Sequence, residues 1–382
     1  MSAWSAVAAI SFGIWLYLLL GRGGFWRERV LPPAPEPQRW PSIMALVPAR
    51  NEAPYVGRAL TSLLRQDYPG NFSVILIDDH SGDDTAALAR AAADAAGAQQ
   101  RLEVLRARSL PSGWTGKLWA LSEGLAEAQS RAPAPELILL TDADIVHHPS
   151  NLRELAARIE SERYDLASLM VRLRCETFAE RFLVPAFVFF FEMLYPFSWV
   201  RDPRHRTAGA AGGCVLVRRS VLERIGGLSA IRGEIIDDCA LGRAVKRGGP
   251  IWLGLTERTV SLRHYRKIAD VWRMVARSAY AQLGYSPLLL LGTVFGLGLT
   301  FLAPVASAAS GTEAAPLGLA AWAAMSFAFL PTLRLYKTAP VWAPLLPLIA
   351  LVYIAATIDS ARRHWQGRGG EWKGRVQHQS RA

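Results

Sequence analysis

The sequence is poor in cysteine and has no histidine pattern of the kind that binds metals. The three cysteines, Cys175, Cys214 and Cys239, form no C-x-x-C pair. Such scattered thiols argue against a disulfide framework and against a zinc site. The histidines His147, His148 and His264 also lack metal-ligand spacing. We therefore predict surface roles for these histidines, with phosphate contact as an alternative for His264.

The first apolar segment lacks the features of a cleaved signal peptide. It has no basic region at its start and no A-x-A cleavage site before Arg22. Trp4, Trp15 and Tyr17 lie within it. We predict that Ser2–Gly21 is a retained membrane anchor. Basic residues directly follow this segment, so the chain from Arg22 onward is expected in the cytoplasm.

Long uncharged runs explain why 51% of the residues are hydrophobic. Each run has about twenty residues, enough to cross a hydrocarbon layer of roughly 30 Å. The segments are Ser2–Gly21, Leu288–Ser310, Ala314–Leu333 and Thr338–Ile358. Three C-terminal spans after one N-terminal span place the tail from Arg362 outside, whereas the positive-inside tendency places it in the cytoplasm. A re-entrant C-terminal segment, or a different role for Ser2–Gly21, would resolve this conflict.

The formal net charge of +11 raises the question of a nucleic-acid partner. The basic residues, however, gather beside the apolar runs, where attraction to anionic lipid explains them more simply. They are Arg22, Arg27, Arg29 and Arg39 at one end and Arg362, Arg363, Arg368, Lys373, Arg375 and Arg381 at the other. We predict a membrane bilayer as partner and no nucleic acid.

Between the apolar ends, the pattern from Ser42 onward alternates short apolar strands with helical stretches. The predicted strands include Ile43–Val47, Phe72–Ile77, Leu102–Leu105 and Leu137–Leu140. Strands separated by helices indicate an α/β fold with a mostly parallel sheet and right-handed crossovers. Such sheets bind ligands at the carboxyl ends of their strands, and polar clusters follow the strands here.

The strongest of these clusters is the pair of carboxylates in Asp142-Ala143-Asp144, directly after Leu137–Leu140. Positions i and i+2 share one face of a strand, so both side chains can converge on one target. Hard oxygen ligands suit Mg²⁺ or Mn²⁺, which are often shared with a phosphate. The pattern predicts a metal-diphosphate site, and a solvated turn is the alternative.

Taken together, these motifs resemble a family-2 glycosyltransferase with a GT-A fold. The matches run in order over roughly Ile43–Leu241: Val47–Glu52, Ile77–Asp83, Gly116-Lys117, Asp142-Ala143-Asp144 and Asp237–Leu241. The last resembles the family's E-D-x-x-L motif, with Asp replacing the usual Glu. More narrowly, Gly113–Ala120, Phe182–Val200 and Tyr280–Leu291 resemble the hopene-associated glycosyltransferases of bacterial hopanoid clusters.

The resemblance implies a role for each motif. Asp144 would hold a divalent cation, Mg²⁺ or Mn²⁺, and Asp142 would share it or contact the ribose. Asp238 would be the base, Asp237 would support it, and Gly212 and Gly213 would lie at the acceptor. The donor, a nucleotide-diphospho-sugar and most simply a UDP-sugar, would be contacted by Pro48, Ala49, Arg50, Glu52, Asp78, Asp79, Lys117 and Asp142.

The implied activity is a single displacement that inverts the anomeric centre and transfers a sugar to a membrane lipid, such as a hopanoid. A processive polysaccharide synthase is one rival, since it shares the core and the C-terminal helices. That group carries Q-x-x-R-W, whereas Gln282 here is followed by neither Arg nor Trp at those positions. A membrane scaffold with a degenerate domain is the other rival, and the intact acidic motifs argue against it.

The domain organisation follows from these assignments. Residues 1–21 form the anchor and 22–41 a basic, Pro-rich linker; 42–265 form the glycosyltransferase domain, with 182–200 as an interfacial segment or, alternatively, a buried core helix. Residues 266–286 form an amphipathic interface helix, 287–360 about three membrane helices, and 361–382 a basic tail. The expected location is the bacterial inner membrane, with the catalytic domain in the cytoplasm.

Overall fold

The computed structural model describes residues 3–370, and these form two compact units. The helical unit contains residues 3–28, Arg174–Ser198 and His264–Gly370. The α/β unit contains Arg29–Leu173 and Trp199–Arg263. Arg174–Ser198 belongs to the helical unit together with the segments near the two chain ends.

Within residues 3–370, eight strands form one sheet, and the chain also forms fourteen α-helices. The strands are β1 (Ile43–Ala49), β2 (Phe72–Asp78), β3 (Leu102–Arg106), β4 (Leu137–Thr141), β5 (Ile145–Val146), β6 (Leu166–Arg172), β7 (Cys214–Arg218) and β8 (Ile251–Ser261). The helices are α1 (Ala3–Leu20), α2 (Ala53–Leu64), α3 (Thr85–Ala95), α4 (Gly116–Ser130), α5 (Asn151–Glu162), α6 (Phe178–Leu194), α7 (Phe197–Arg201), α8 (Arg219–Arg224), α9 (Asp237–Lys246), α10 (Ile268–Gln282), α11 (Pro287–Leu297), α12 (Ala303–Ala308), α13 (Ala315–Leu335) and α14 (Leu346–Trp365).

The strand order in the sheet is β3-β2-β1-β4-β7-β6-β8-β5. The first four strands are mutually parallel, as predicted, so β1, β2 and β4 end at the same edge. Strand β7 runs antiparallel to both β4 and β6, and β8 pairs in parallel with β6. The antiparallel β7 brings its N-terminal residue Cys214 opposite Thr141, the last residue of β4. The loop before β7 therefore lies beside Asp142.

The core of the α/β unit lies between the sheet and the apolar sides of its helices. Every residue of β1 is buried, as expected for a strand covered on both faces. Helix α2 buries Val56, Leu60 and Leu63 at helical spacing. Helix α4 packs closely because it has glycine at position 124, where a Cβ would lie only 2.7 Å from Cδ1 of Ile77. The start of this helix carries Lys117, which lies beside Asp142 just after the end of β4.

Three strand assignments differ from the prediction. Strands β5 and β6 were not predicted, and β8 is one irregular strand where the sequence suggested two, over Ile251–Leu255 and Thr259–Leu262. A two-residue strand such as β5 has too few residues to show an alternating pattern. Its pairing with Val260 and Ser261 of β8 depends on the tertiary fold.

The helical unit contains four helices that are long and apolar enough to cross a membrane. They are Ala3–Leu20, Pro287–Ala308, Ala315–Leu335 and Pro340–Trp365, close to the four predicted runs. The second has a π-helical stretch, Gly298–Leu302, between α11 and α12. There Ser11 Oγ donates to the carbonyl of Leu299 at 2.8 Å, and Trp15 Nε1 donates to that of Thr300 at 2.7 Å. Their orientation in a membrane stays a prediction.

Helix α6 covers most of the segment predicted to lie in the membrane interface. Phe189 is fully buried, and its ring lies 5.4 Å from that of Phe25 and 5.2 Å from that of Phe329. Glu192 is also buried. These contacts within the unit agree with the alternative prediction of a buried core helix. A position in the membrane interface stays a prediction. Helix α10 packs on α14, with Trp272 Nε1 donating to Asp359 at 2.9 Å. The predicted tail residues Lys373, Arg375 and Arg381 lie outside the described residues.

Candidate active site

Lys117 is the centre of a charge cluster at the carboxyl edge of the sheet. Its Nζ lies 3.0 Å from Oδ1 of Asp142 and 3.1 Å from Oδ2 of Asp237. Burial opposes the charge on Lys117, but Asp142, Asp237 and Asp238 outweigh that effect and raise its pKa above the ordinary value. Lys117 is therefore a fixed cation. The structure thus joins residues from the start of α4, the end of β4 and the start of α9.

Asp238 is held by two backbone donors. The N–H of Gly212 donates to its Oδ2 and the N–H of Cys239 to its Oδ1, each at 2.7 Å. Burial and the neighbouring Asp237 raise its pKa from 3.8 to about 6, while Lys117 and the two N–H groups act in the opposite direction. Such a carboxylate is ionised at neutral pH and is a better proton acceptor than an ordinary Asp.

Two glycines let helix α9 approach the loop before β7. A Cβ at Gly242 would lie 2.9 Å from the backbone carbon of Gly209, so only glycine fits without a shift. A Cβ at Gly212 would lie 3.2 Å from Oδ2 of Asp238. Gly212 therefore supports the predicted base through its backbone. Gly213, predicted beside it at the acceptor, packs on Val171, where a Cβ would come within 2.6 Å.

Asp144 is buried and its partners were not predicted. Its Oδ2 accepts from Ser261 Oγ at 2.8 Å and from Arg263 Nε at 3.2 Å. The same guanidinium donates to both carboxylate oxygens of Glu52, at 2.9 and 3.2 Å, and lies over the ring of Tyr55. Arg263 thus connects the loop after β1 to the predicted metal ligand. No local motif marks this arginine, because its partners are more than one hundred residues away.

Asp142 and Asp144 fit a divalent cation only if a substrate supplies further ligands. Within residues 3–370 there is no cluster of three or more His, Cys, Asp or Glu side chains able to hold a metal. Asp142 and Asp144 supply two hard oxygen ligands, and Mg²⁺ is commonly bound by one or two carboxylates together with substrate phosphates. Their charges lie beside Lys117 and Arg263 in this structure. The donor set therefore fits a cation shared with a diphosphate.

The predicted nucleotide loops after β1 and β2 contact each other. Arg50 Nη1 donates to the carbonyl of Asp79 at 2.6 Å, and the N–H of Asp79 donates to the carbonyl of Ala49 at 2.8 Å. Asp79 is almost completely buried beside Arg50 and His80. Asp78 accepts from the Ser81 N–H at 3.1 Å. Hydrogen bonds thus join the two loops, and Ala49 takes part through its backbone carbonyl.

A cleft lies at the cluster. Pro48, Lys117 and Asp238 all contribute to it, so residues from three predicted motifs meet there. Its further lining is Leu118, Leu121, Leu140, Thr141, Gly212, Val215, Leu228, Ile231, Asp237 and Leu241. The structure does not place Asp79 or Glu52 in this lining, and these residues belong to the adjoining loops.

His147 is the one predicted surface histidine that the structure clearly corrects. It is 2% exposed and bonded to Thr141 and Asn151. Burial lowers its pKa to about 3, so it is neutral. Nothing in its sequence neighbourhood marks it as buried, because its partners come together only through the sheet.

Family models match most of the chain. The model described as glycosyl transferase family 2 matches residues 44–226, and that described as glycosyl transferase family group 2 matches residues 137–356, more than half of the chain. The matched regions include the cluster around Lys117, Asp142 and Asp238. They confirm the prediction of a glycosyltransferase.

Two curated relatives align with part of the chain. An N-acetylglucosaminyltransferase of Mesorhizobium japonicum is 29% identical over 202 residues, covering 50% of this chain and 42% of that protein. The beta-monoglucosyldiacylglycerol synthase of Synechocystis is 28% identical over 161 residues, covering 38% of this chain and 31% of that protein. The chain spans less than half the length of each relative.

One solved structure aligns along nearly the whole chain. It is a mannosyltransferase from Pyrobaculum calidifontis in complex with GDP-Man and Mn²⁺, with 21% identity and a TM-score of 0.58. The alignment covers 95% of this chain and 99% of that one. At this identity the similarity bears on the fold, and it confirms the predicted GT-A architecture.

Proposed function

We propose that this chain, which belongs to the glycosyl transferase family group 2, transfers a sugar from a nucleotide-diphospho-sugar to a membrane lipid with inversion at the anomeric carbon. The observation that carries the proposal is the position of Asp238, held by two N–H groups within the charge cluster of Lys117. A general base and a fixed cation thus lie together at the carboxyl edge of a sheet, where such folds bind their ligands.

On the donor side, charge stabilisation is the main task of the protein. The diphosphate gains negative charge as the bond to the sugar breaks, and the fixed cation of Lys117 favours that charge. Arg50, Asp78 and Asp79 position the nucleotide through the paired loops, with Pro48, Ala49 and Glu52 beside them. We propose a UDP-sugar as donor. The α-linked sugar of such a donor gives a β-linked product after one displacement.

A divalent cation, Mg²⁺ or Mn²⁺, is the proposed cofactor. Asp144 and Asp142 would hold it, and when bound it would neutralise the departing diphosphate. Arg263 Nε donates to Asp144 in this structure. A cation bound at Asp144 would therefore compete with Arg263 for this carboxylate.

On the acceptor side, Asp238 takes the proton of the acceptor hydroxyl. The hydroxyl oxygen forms the new bond to the anomeric carbon, and the nucleotide diphosphate leaves with the electron pair of the old bond. Because burial and Asp237 raise the pKa of Asp238, it can accept a proton readily at neutral pH. Asp237 pairs with Lys117 at the helix start, which agrees with a supporting role. Gly212 and Gly213 form the acceptor edge.

Two observations support a lipid acceptor. The chain has four candidate membrane helices, and one relative is named for synthesis of a glucosyl diacylglycerol. We propose that the α/β unit works on the cytoplasmic side of a bacterial inner membrane. The resemblance to the hopene-associated enzymes makes a hopanoid the first acceptor to test.

Asp238→Asn tests the proposed base. The full chain in lipid nanodiscs is supplied with Mn²⁺, a panel of UDP- and GDP-sugars, and diacylglycerol or hopanoid acceptors. Loss of the base should lower kcat for transfer by about 10²- to 10⁴-fold. The donor KM should change little, since Asn keeps the shape. Asp94→Asn, an exposed change on α3, is the matched control.

The products discriminate between the rivals. A single glycolipid supports the proposal, whereas a ladder of oligosaccharides would assign a polysaccharide synthase. Transfer that survives Asp238→Asn excludes this residue as the base. Absence of both transfer and donor hydrolysis in the wild-type chain would favour a scaffold.

A further inference from the structure

A continuous row of hydrogen bonds runs through buried side chains of the α/β unit. Thr259 Oγ1 lies 2.9 Å from Asn151 Oδ1, and Asn151 Nδ2 lies 3.0 Å from His147 Nδ1. His147 Nε2 lies 2.9 Å from Thr141 Oγ1, which lies 2.7 Å from the carbonyl oxygen of Gly213. All four side chains are at most 5% exposed. Water cannot easily replace their partners.

The carbonyl oxygen of Gly213, at the end of the row, determines which atom donates and which accepts in every bond of the row. Two oxygens 2.7 Å apart need a proton between them, and the carbonyl of Gly213 can only accept. The single hydroxyl proton of Thr141 therefore points to Gly213. The Thr141 oxygen must then accept from His147 Nε2–H.

The remaining protons follow from the same reasoning. With Nε2 protonated and the ring neutral, His147 Nδ1 is an acceptor. Asn151 must then present its amide nitrogen to the ring, and its oxygen accepts from Thr259. A doubly protonated ring would require the Asn151 amide to reverse, and Thr259 would then lose its acceptor on Asn151. Burial, which lowers the pKa of His147 to about 3, acts in the same direction.

The row connects the chain segments that carry the acidic site residues. Thr141 directly precedes Asp142, and Gly213 directly follows Gly212, whose N–H binds Asp238. Thr259 lies two residues before Ser261, which donates to Asp144. A shift at His147 would therefore reach both the proposed base and the proposed metal ligand through the backbone.

We propose that His147, held as the neutral Nε2–H tautomer, is a positioning residue that fixes Gly213 and so directs the Gly212 N–H onto Asp238. The positioning role rests on the proposed function, whereas the tautomer does not. His147 would affect the rate through geometry, because a misplacement of about 1 Å in an active site can lower the rate by 10²-fold.

The tautomer is tested first, by NMR of the full chain in nanodiscs with ¹⁵N-labelled histidine rings. The signal of His147 is assigned by its loss in His147→Gln. We expect a proton on Nε2 and none on Nδ1 from pH 8 to pH 5. A ring protonated on Nδ1, alone or together with Nε2, would overturn the proposal whether or not the chain is active.

Asn151→Asp tests the positioning role. It is nearly isosteric but replaces the amide donor by an acceptor. In a ring that stays neutral, the proton must move from Nε2 to Nδ1 to keep this bond, so the bond from Nε2–H to Thr141 is lost. We expect hydrogen exchange of the Gly212 amide to rise about tenfold, as its bond to Asp238 loosens. We expect kcat for transfer to fall about 10- to 100-fold, with the donor KM within about twofold.

His148→Gln is the matched control, since His148 is half-buried, adjacent in sequence and bonded to Ser150 outside the row. It should change neither exchange nor kcat. Unchanged Gly212 exchange in Asn151→Asp would overturn the proposal, as would faster exchange spread evenly over the unit. If the wild-type chain transfers no sugar, the proposed function fails, and the exchange measurement still decides whether the row fixes Gly212.

Discussion

Two groups of buried polar side chains, one in each unit, differ in their partners. Around the candidate site of the α/β unit, Ser261 donates to the side chain of Asp144 and Thr259 to that of Asn151. Between helices of the helical unit, Ser11, Trp15 and Tyr353 donate to backbone carbonyls at distances of 2.7 to 2.9 Å. Side-chain networks align reactive groups, whereas bonds to carbonyls hold apolar helices together. We therefore expect the side-chain network of the α/β unit to bear on the proposed catalysis and the carbonyl bonds of the helical unit to bear on packing.

After the loss of the proposed base Asp238, the largest effect is expected from Lys117→Met, which removes the cation from a cluster of three carboxylates. The mutual repulsion of Asp142, Asp237 and Asp238 would increase, and the diphosphate would lose a stabilising charge. We expect kcat/KM for the donor to fall about 10²- to 10³-fold, the range for losing one preorganised charge-stabilising donor. Steady-state kinetics measure it, with the exposed Lys267→Met as control. An effect of only a few-fold would argue against Lys117 at the diphosphate.

The next effect is a dependence of kcat/KM on pH that arises from one group of the α/β unit. Burial and Asp237 raise the pKa of Asp238 to about 6, so the base form is lost as pH falls through 6. We expect log kcat/KM to fall by about one per pH unit below 6 and to level off above it. A profile of the wild-type chain measures this. A plateau that extends to pH 4 would contradict the assignment of Asp238.

A smaller effect is expected from Lys246→Met at the far end of α9. Its Nζ donates to the carbonyls of Trp199, Val200 and Thr207 at 2.7 to 2.8 Å. Loss of these bonds should destabilise the α/β unit by about 1–3 kcal/mol, the cost of buried acceptors left unpaired. Denaturation measures it, and Lys246→Arg should restore part of the stability. Wild-type stability in Lys246→Met would show that water replaces the amine.

The smallest effect on catalysis is expected from Trp15→Phe in the helical unit. The ring packing on Phe301 is kept, but the carbonyl of Thr300 loses its donor. Stability should fall by about 1–3 kcal/mol while kcat stays unchanged. Thermal unfolding and transfer kinetics on one sample measure both. A fall in kcat at unchanged stability would break the division between the two units.

The sequence predicted those parts of the site that lie on short, local patterns. The strand Leu137–Leu140 with Asp142 and Asp144 could be located from its apolar pattern and spacing, whereas the site role of Asp237 and Asp238 came from the resemblance to the family motif. The parallel strands β1, β2 and β4 bring the residues that follow them to one edge. The antiparallel β7 brings the loop of Gly212, whose N–H binds Asp238, beside that edge.

The parts that could not be predicted depend on partners far apart in the chain. Arg263 meets Glu52 and Asp144 only because β8 crosses the sheet beside β5 and β6. His147 looks like a surface histidine until the fold places Thr141 and Asn151 on its two ring nitrogens. Strand β7 has the same apolar pattern whichever way it runs, so its antiparallel direction required the structure.

The π-helical stretch Gly298–Leu302 has a consequence for how the chain is assembled. Its carbonyls at Leu299 and Thr300 receive donors from α1, a helix made nearly three hundred residues earlier in synthesis. Ser11 and Trp15 must therefore wait, unpaired with these acceptors, until the later helix is made. Each polar group left unpaired in an apolar environment costs several kcal/mol. The first helix thus supplies donors to a later helix, in addition to being a candidate membrane span.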